Sequence, residues 1–205
     1  MERICGQMPD ATLSIVDRRP FSVSHRNIAT ICAEGIGWLT ASLQPNAPVD
    51  MIIPAIPVHV AFEWIKSRLI DEYLIRPLAV PDNWLKQVPH AIRGDGGRIY
   101  ASHADFVCPD NCPEPKTICT HTGKERPMDL FRLLANIDIE DVVPIILRSH
   151  QLLPGVGGIY PDDLMHALKS VRNCQRPAVM IATACRCHGV MDFVRLERVE
   201  VKRFS

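Results

Sequence analysis

Five cysteines and a histidine fall into two short clusters, and no other feature of the sequence limits the fold as strongly. Cys108, Cys112 and Cys119 are spaced C-x3-C-x6-C, and Cys185 and Cys187 form C-x-C with His188 directly after them. Thiolates suit soft or borderline ions, and imidazole joins them in zinc and iron sites. Pro109, Pro113 and Pro115 stiffen the first cluster, which lowers the entropy lost when it is ordered. Residues 108–126 show no apolar periodicity, and so long a loop in a compact domain calls for something that binds and organises it. All six side chains are therefore candidate metal ligands. The expected cofactor is an iron–sulfur cluster or Zn2+. The C-x3-C pair fits zinc, whereas Cys108-Pro109 and Cys112-Pro113 fit cluster ligation, where proline after cysteine is common. Neither spacing reproduces a ferredoxin pattern.

The remaining chain reads as alternating strands and helices. Residues 1–9 suit a short helix. Strands are expected at 11–17, 28–33, 49–54, 98–107, 142–149 and 178–184, and in the tail over 190–204. Helices are expected at 34–44, 58–69, 127–136 and 161–173, where apolar residues recur at helical spacing (Leu164, Ala167, Leu168 and Val171 in the last). Strand–helix alternation implies parallel pairing with right-handed crossovers. The expected fold is α/β, a mostly parallel sheet with flanking helices, in three parts. These are a Rossmann-like half over 1–70, an irregular Pro-rich connection over 71–97, and a cysteine-rich half over 98–205. In parallel sheets the carboxyl ends of strands share one edge, where sites form. Cys108, His150 and Cys185 each follow an expected strand, so one rim would gather them.

Other candidates are less specific. The run Pro154-Gly155-Val156-Gly157-Gly158 precedes a helix, and exposed amides at such a place can hold an anion. Gly155, Gly157 and Gly158 are thus candidate cofactor contacts, although the Lys-Ser/Thr of a P-loop is missing. His103 and His121 flank the cysteine loop and could add ligands. Cys5, Cys32 and Cys174 read as ordinary buried cysteines, since free cysteine is among the most buried residue types.

The segment ATLSIVDRRP, with Asp17 ending its strand, is followed by Ala33-Glu34-Gly35 and by VDMIIPAIP. Across residues 11–70 this resembles the later part of the Rossmann-type nucleotide-binding domain in regulatory subunits of bacterial potassium-uptake systems. The resemblance implies a ribose-binding role for Asp17. That family's first strand and glycine fingerprint would precede the helix at 2–8, and the sequence begins at that helix. The resemblance therefore implies no tight nucleotide binding by this chain alone. The cysteine-rich half lies outside that family, and the whole chain is similar to uncharacterised proteins with a cysteine motif.

Composition excludes several classes. Lys plus Arg and Asp plus Glu both number 23, so bulk electrostatics gives no basis for nucleic-acid binding, which needs a cationic surface. No run approaches the roughly 20 apolar residues of a membrane helix, and the N-terminus lacks a signal peptide's apolar core. A cytoplasmic protein is expected, without a membrane or nucleic-acid partner but with room for a second copy or a partner protein. In that compartment the eight cysteines are expected to be ligands, redox thiols or packing residues rather than disulfides. The function expected is metal or iron–sulfur binding, redox or sensory in kind. The alternative is a nucleotide-binding regulatory module with a structural zinc site.

Overall fold

A computed structural model describes residues 1–199. The chain divides into two compact units, Met1–Ala47 and Pro48–Ser205. In the first, α1 (Glu2–Gln7) precedes β1 (Leu13–Asp17) and β2 (Ile28–Cys32), and α2 (Gly35–Ser42) closes the unit. The two strands pair in parallel from Leu13↔Ile28 to Asp17↔Cys32, with no helix in the connection between them. Glu34 caps α2 by accepting from Gly37 N at 2.6 Å, and that bond is the main reason its carboxyl titrates below the usual range.

The second unit opens with α3 (Val60–Leu69), β3 (Tyr73–Pro77), α4 (Asp82–Leu85), β4 (Ile92–Arg93) and β5 (Arg98–Ser102). It continues through α5 (Leu130–Asn136), β6 (Val142–Arg148), β7 (His150–Leu153), β8 (Val156–Gly158), α6 (Pro161–Arg172), β9 (Ala178–Ala184) and β10 (His188–Arg198). Its main sheet runs β4-β5-β10-β9-β6, and β3 lies on β10 beyond β5.

This overturns the expectation of a mostly parallel, Rossmann-like sheet. Only β6 and β9 pair in parallel in the main sheet, and β10 runs antiparallel to β9, β5 and β3. The cause is the turn after Ala184. Residues 185–187 are too few for a crossover, and a short turn can join only antiparallel neighbours. Further differences follow. Residues 49–54 form no strand beyond an isolated bridge, Ile52↔Ile159. The Pro-rich stretch 71–97 contributes β3, whose last residue is Pro77, at the edge where a missing N–H is tolerated. α3 packs against α6 and β9, so the division falls at Ala47/Pro48 rather than at residue 70. Expected strand residues 200–204 lie outside the described residues. Among the described residues no helix is long and apolar enough to cross a membrane.

β9 (AVMIATA) is buried along nearly its whole length, as a strand covered on both faces should be. Met180, Ala182, Met191 and Phe193 face a core with Leu130 and Leu134 of α5 and with Trp84, whose ring meets Phe193 edge-on at 4.9 Å. Residues of opposite parity point to the other face. There a buried polar chain anchors α3. His59, at the start of α3, places Nδ1 2.6 Å from Asp192 Oδ2 and Nε2 2.9 Å from Thr183 Oγ1. Arg98 Nε donates to both Asp192 oxygens at 3.1 and 3.2 Å, and its Nη2 donates to Glu63 at 3.3 Å. A carboxylate only accepts, so neutral His59 carries its proton on Nδ1 and accepts from Thr183 at Nε2.

Burial holds the His59 pKa below its ordinary 6.5, outweighing the opposite pull of Asp192. The sign of the pH dependence follows. Below about pH 6.5 the unfolded chain takes up a proton that folded His59 refuses, so stability falls as pH drops from there toward the folded pKa. Urea unfolding of wild type should show this loss between about pH 6.5 and 5.5, and His59→Gln should reduce the slope.

Gly158 lies where β8 crosses the Ile52 bridge. An added Cβ would strike the Met51 side chain and sit 2.9 Å from Ile52 O. Gly158→Ala should therefore cost about 1–3 kcal/mol, as overpacking does, read from the urea midpoint.

Candidate metal centre

β5, β6 and β9 run in the same direction, because β5 and β9 are both antiparallel to β10 and β6 is parallel to β9. Their carboxyl ends share one edge. The β9–β10 turn, residues 185–187, sits there, closed by Cys185 N donating to His188 O at 2.9 Å. The cysteine loop comes to the same place. Cys108 Sγ lies 3.4 Å from His188 Nε2, and His188 Nδ1 lies 3.9 Å from Cys185 Sγ. Cys108 feels the charges of Cys112, Cys187 and Cys119, and Cys187 feels that of Cys112. Among the described residues no three His, Cys, Asp or Glu side chains stand in a formed metal-binding group.

The β9–β10 turn aims amides at a sulfur. Cys185 Sγ accepts the amides of Cys187 and His188, two and three residues on, at 3.4 and 3.3 Å. At Cys119 the neighbouring Thr122 and His121 also favour the thiolate. Its turn is closed by Cys119 N to Lys124 O and Gly123 N to Cys119 O, both at 2.8 Å. Amides aimed at sulfur favour the thiolate. At Cys119, near the surface, they bring the thiol below its ordinary 9.0, the Thr122 hydroxyl contributing most. At Cys185 burial wins and pushes the thiol up to about 11. Burial also raises Cys108 and Cys187. Such thiols hold their protons at neutral pH unless a cation displaces them.

Arg126 fixes the loop against this turn. It is buried, and it donates to Cys187 Sγ at 2.9 Å and to Pro115 O and Lys116 O at 2.5 and 2.7 Å. Asp129, the N-cap of α5, pairs with Arg126 at 3.3 Å and with Arg186 at 2.6 Å. Glu114 Oε1 accepts from Arg186 N at 2.6 Å. Its backbone holds φ 47, a costly conformation for a side chain with a Cβ and one that clusters at functional sites. Sequence patterns missed Arg126, Glu114 and Asp129. Their signal was charge within a loop that must bury its cysteines.

The other candidates lie elsewhere or are otherwise engaged. His150 packs tilted against Tyr160, 4.4 Å between centroids, and lies 3.7 Å from Asp163. Its neighbour Gln151 reaches the loop, Nε2 to Cys112 O at 2.7 Å. His121 stacks on Phe106. The glycine run is not a loop before a helix but the β7–β8 hairpin. Gly155 takes φ 74 at its tip and donates to Cys112 O, and Gly157 and Gly158 pair with Gln151 and His150. Gly155 N is taken up by a carbonyl and Gly157 and Gly158 stand in a hairpin, so the run does not open a helix as an anion-binding loop does. Asp17 ends β1, where its Oδ1 accepts from Arg19 N at 2.8 Å. All eight cysteines are free thiols. Cys32 is exposed and Cys5 and Cys174 are half-buried, so these three are not the core residues expected.

Residues 61–197 match the model of a family described as "Uncharacterized protein, C-terminal domain". A protein of Archaeoglobus fulgidus described as "Uncharacterized protein" is 30% identical over 150 residues, 71% of this chain and 65% of the relative. The chain thus spans about two thirds of that relative's length. No solved structure matches. The family match takes in nearly all of α3 and β10 and both cysteine clusters, and by it the chain belongs to that family.

Proposed function

We propose that this chain is a cytoplasmic metalloprotein whose cysteine loop and β9–β10 turn together bind an iron–sulfur cluster or a zinc ion. Its role is redox or sensory. The observation that carries this is the His188 ring lying between Cys108 Sγ of the loop and Cys185 Sγ of the turn, at 3.4 and 3.9 Å. The donor set fits such a group. Cys108, Cys112, Cys119, Cys185 and Cys187 would supply thiolates and His188 an imidazole, while Arg126 would offset negative charge at Cys187. A bound cluster would supply one-electron chemistry, and zinc would supply a structural cross-link. Anaerobic purification with metal analysis tests this. Brown protein absorbing near about 400 nm carries a cluster, and colourless protein with stoichiometric zinc carries the ion. Metal-free protein from metal-replete cells contradicts both.

A second reading, a nucleotide-binding regulatory module with a structural zinc, is favoured by one observation. Asp17 stands at the carboxyl end of β1, which pairs in parallel with β2. Calorimetric titration with NAD and NADH tests it, and binding abolished by Asp17→Ala would support it.

A further inference from the structure

We propose that His103 is a further ligand of the same centre, donating through Nε2. This rests on the thiolate-centre reading above. His103 Nε2 is buried and has no hydrogen-bond partner among the described residues, and no other histidine among them has a buried ring nitrogen so placed. The comparison with the others is direct. His59 uses both ring nitrogens, His90 bonds Ser102 O, and His188 lies between Cys108 and Cys185. A buried polar atom left without a partner is costly, and each one in a native fold calls for an explanation such as an ion.

Register places His103 beside the β9–β10 turn. Ser102 pairs with His188, and the ladder runs one step further, with His103 N donating to Cys187 O at 2.8 Å. Residues directly opposite in an antiparallel pair project from the same face with their Cβ atoms close together. His103 therefore stands beside Cys187, whose sulfur takes the Arg126 bond at 2.9 Å. Arg126 and His188 are among the charges its ring feels. The backbone of Met128 also acts on the ring. A mixed thiolate and imidazole set of this kind takes a borderline divalent cation such as zinc or iron.

The test uses the whole chain loaded with Co2+. Thiolate-to-cobalt charge-transfer absorption reports the sulfur ligands, and pulsed EPR counts coupled imidazole nitrogens. His103→Phe should remove one imidazole coupling and weaken Co2+ by more than the roughly 10–100-fold that loss of a supporting partner costs. His103→Cys, which can ligate but cannot replace imidazole packing, should recover most of the affinity. Wild type with thiolate absorption and a nitrogen count unchanged in His103→Phe overturns the His103 assignment alone. Should His103→Phe not fold, a wild-type coupling to one imidazole only, lost in His188→Phe, overturns it equally. Wild type without thiolate absorption overturns the thiolate centre and this assignment with it.

Discussion

Asp192→Ala is expected to destabilise the protein by about 3–5 kcal/mol, the usual cost of breaking a buried pair by removing one partner. Asp192 is 2% exposed and His59 4%. Removal of the carboxylate leaves the His59 Nδ1–H without an acceptor and Arg98 with Glu63 as its remaining carboxylate. Both groups would have to be hydrated or rearranged, and α3 would lose its polar anchor to β10. Asp192→Asn keeps the shape and one acceptor for His59, so it should cost less. The exposed pair Arg76–Glu197, 3.2 Å apart, is the contrast. Glu197→Ala should change stability by no more than about 1 kcal/mol, as surface pairs do. Urea unfolding at pH 7.5 measures all three. An Asp192→Ala cost of only about 1 kcal/mol would mean that the network is not a cornerstone of the fold.

Cys185→Ser is expected to abolish most metal binding and leave the sheet folded. Serine is nearly isosteric and still accepts from the Cys187 and His188 amides, so packing alone would tolerate it. Thiolate ligation it cannot supply. Cys112→Ser should act in the same direction. The loop over residues 108–126 buries little apolar surface of its own. Its one large aliphatic side chain, Ile118, is 54% exposed, so metal and a few hydrogen bonds have to order it. Both variants should therefore become protease-sensitive within 108–126 while circular dichroism stays near wild type. Cys5→Ser, on α1, should change neither. Full metal retention in Cys185→Ser would return the turn cysteine to a packing role.

Local pattern was enough for much of the secondary structure. The apolar stripe of α6, the buried run of β9 and the strand–helix order around them were legible because each depends on nearby residues. Pairing was not. β10 reads as an alternating tail, and nothing local says that it inserts between β5 and β9 in the antiparallel sense. Even so, inserting one antiparallel strand leaves β5, β9 and β6 pointing the same way. Their carboxyl ends still share an edge, and the cysteine clusters meet there by a topology other than the one expected. β3 was hidden by its prolines, since Pro77 is tolerated only at an edge that the sequence does not announce. The His59–Asp192 pair spans 133 positions, beyond any motif. One signal was present. Asp192 sits between Met191 and Phe193 in an apolar run, and a carboxylate there must have a buried partner.

The most direct measurement is X-ray absorption at the edge of whichever metal copurifies with the whole chain. A sulfur-dominated first shell at about 2.3 Å, lost in Cys185→Ser, is the result expected if both cysteine clusters hold one centre. A first shell of oxygen and nitrogen alone, unchanged by Cys185→Ser, would contradict it.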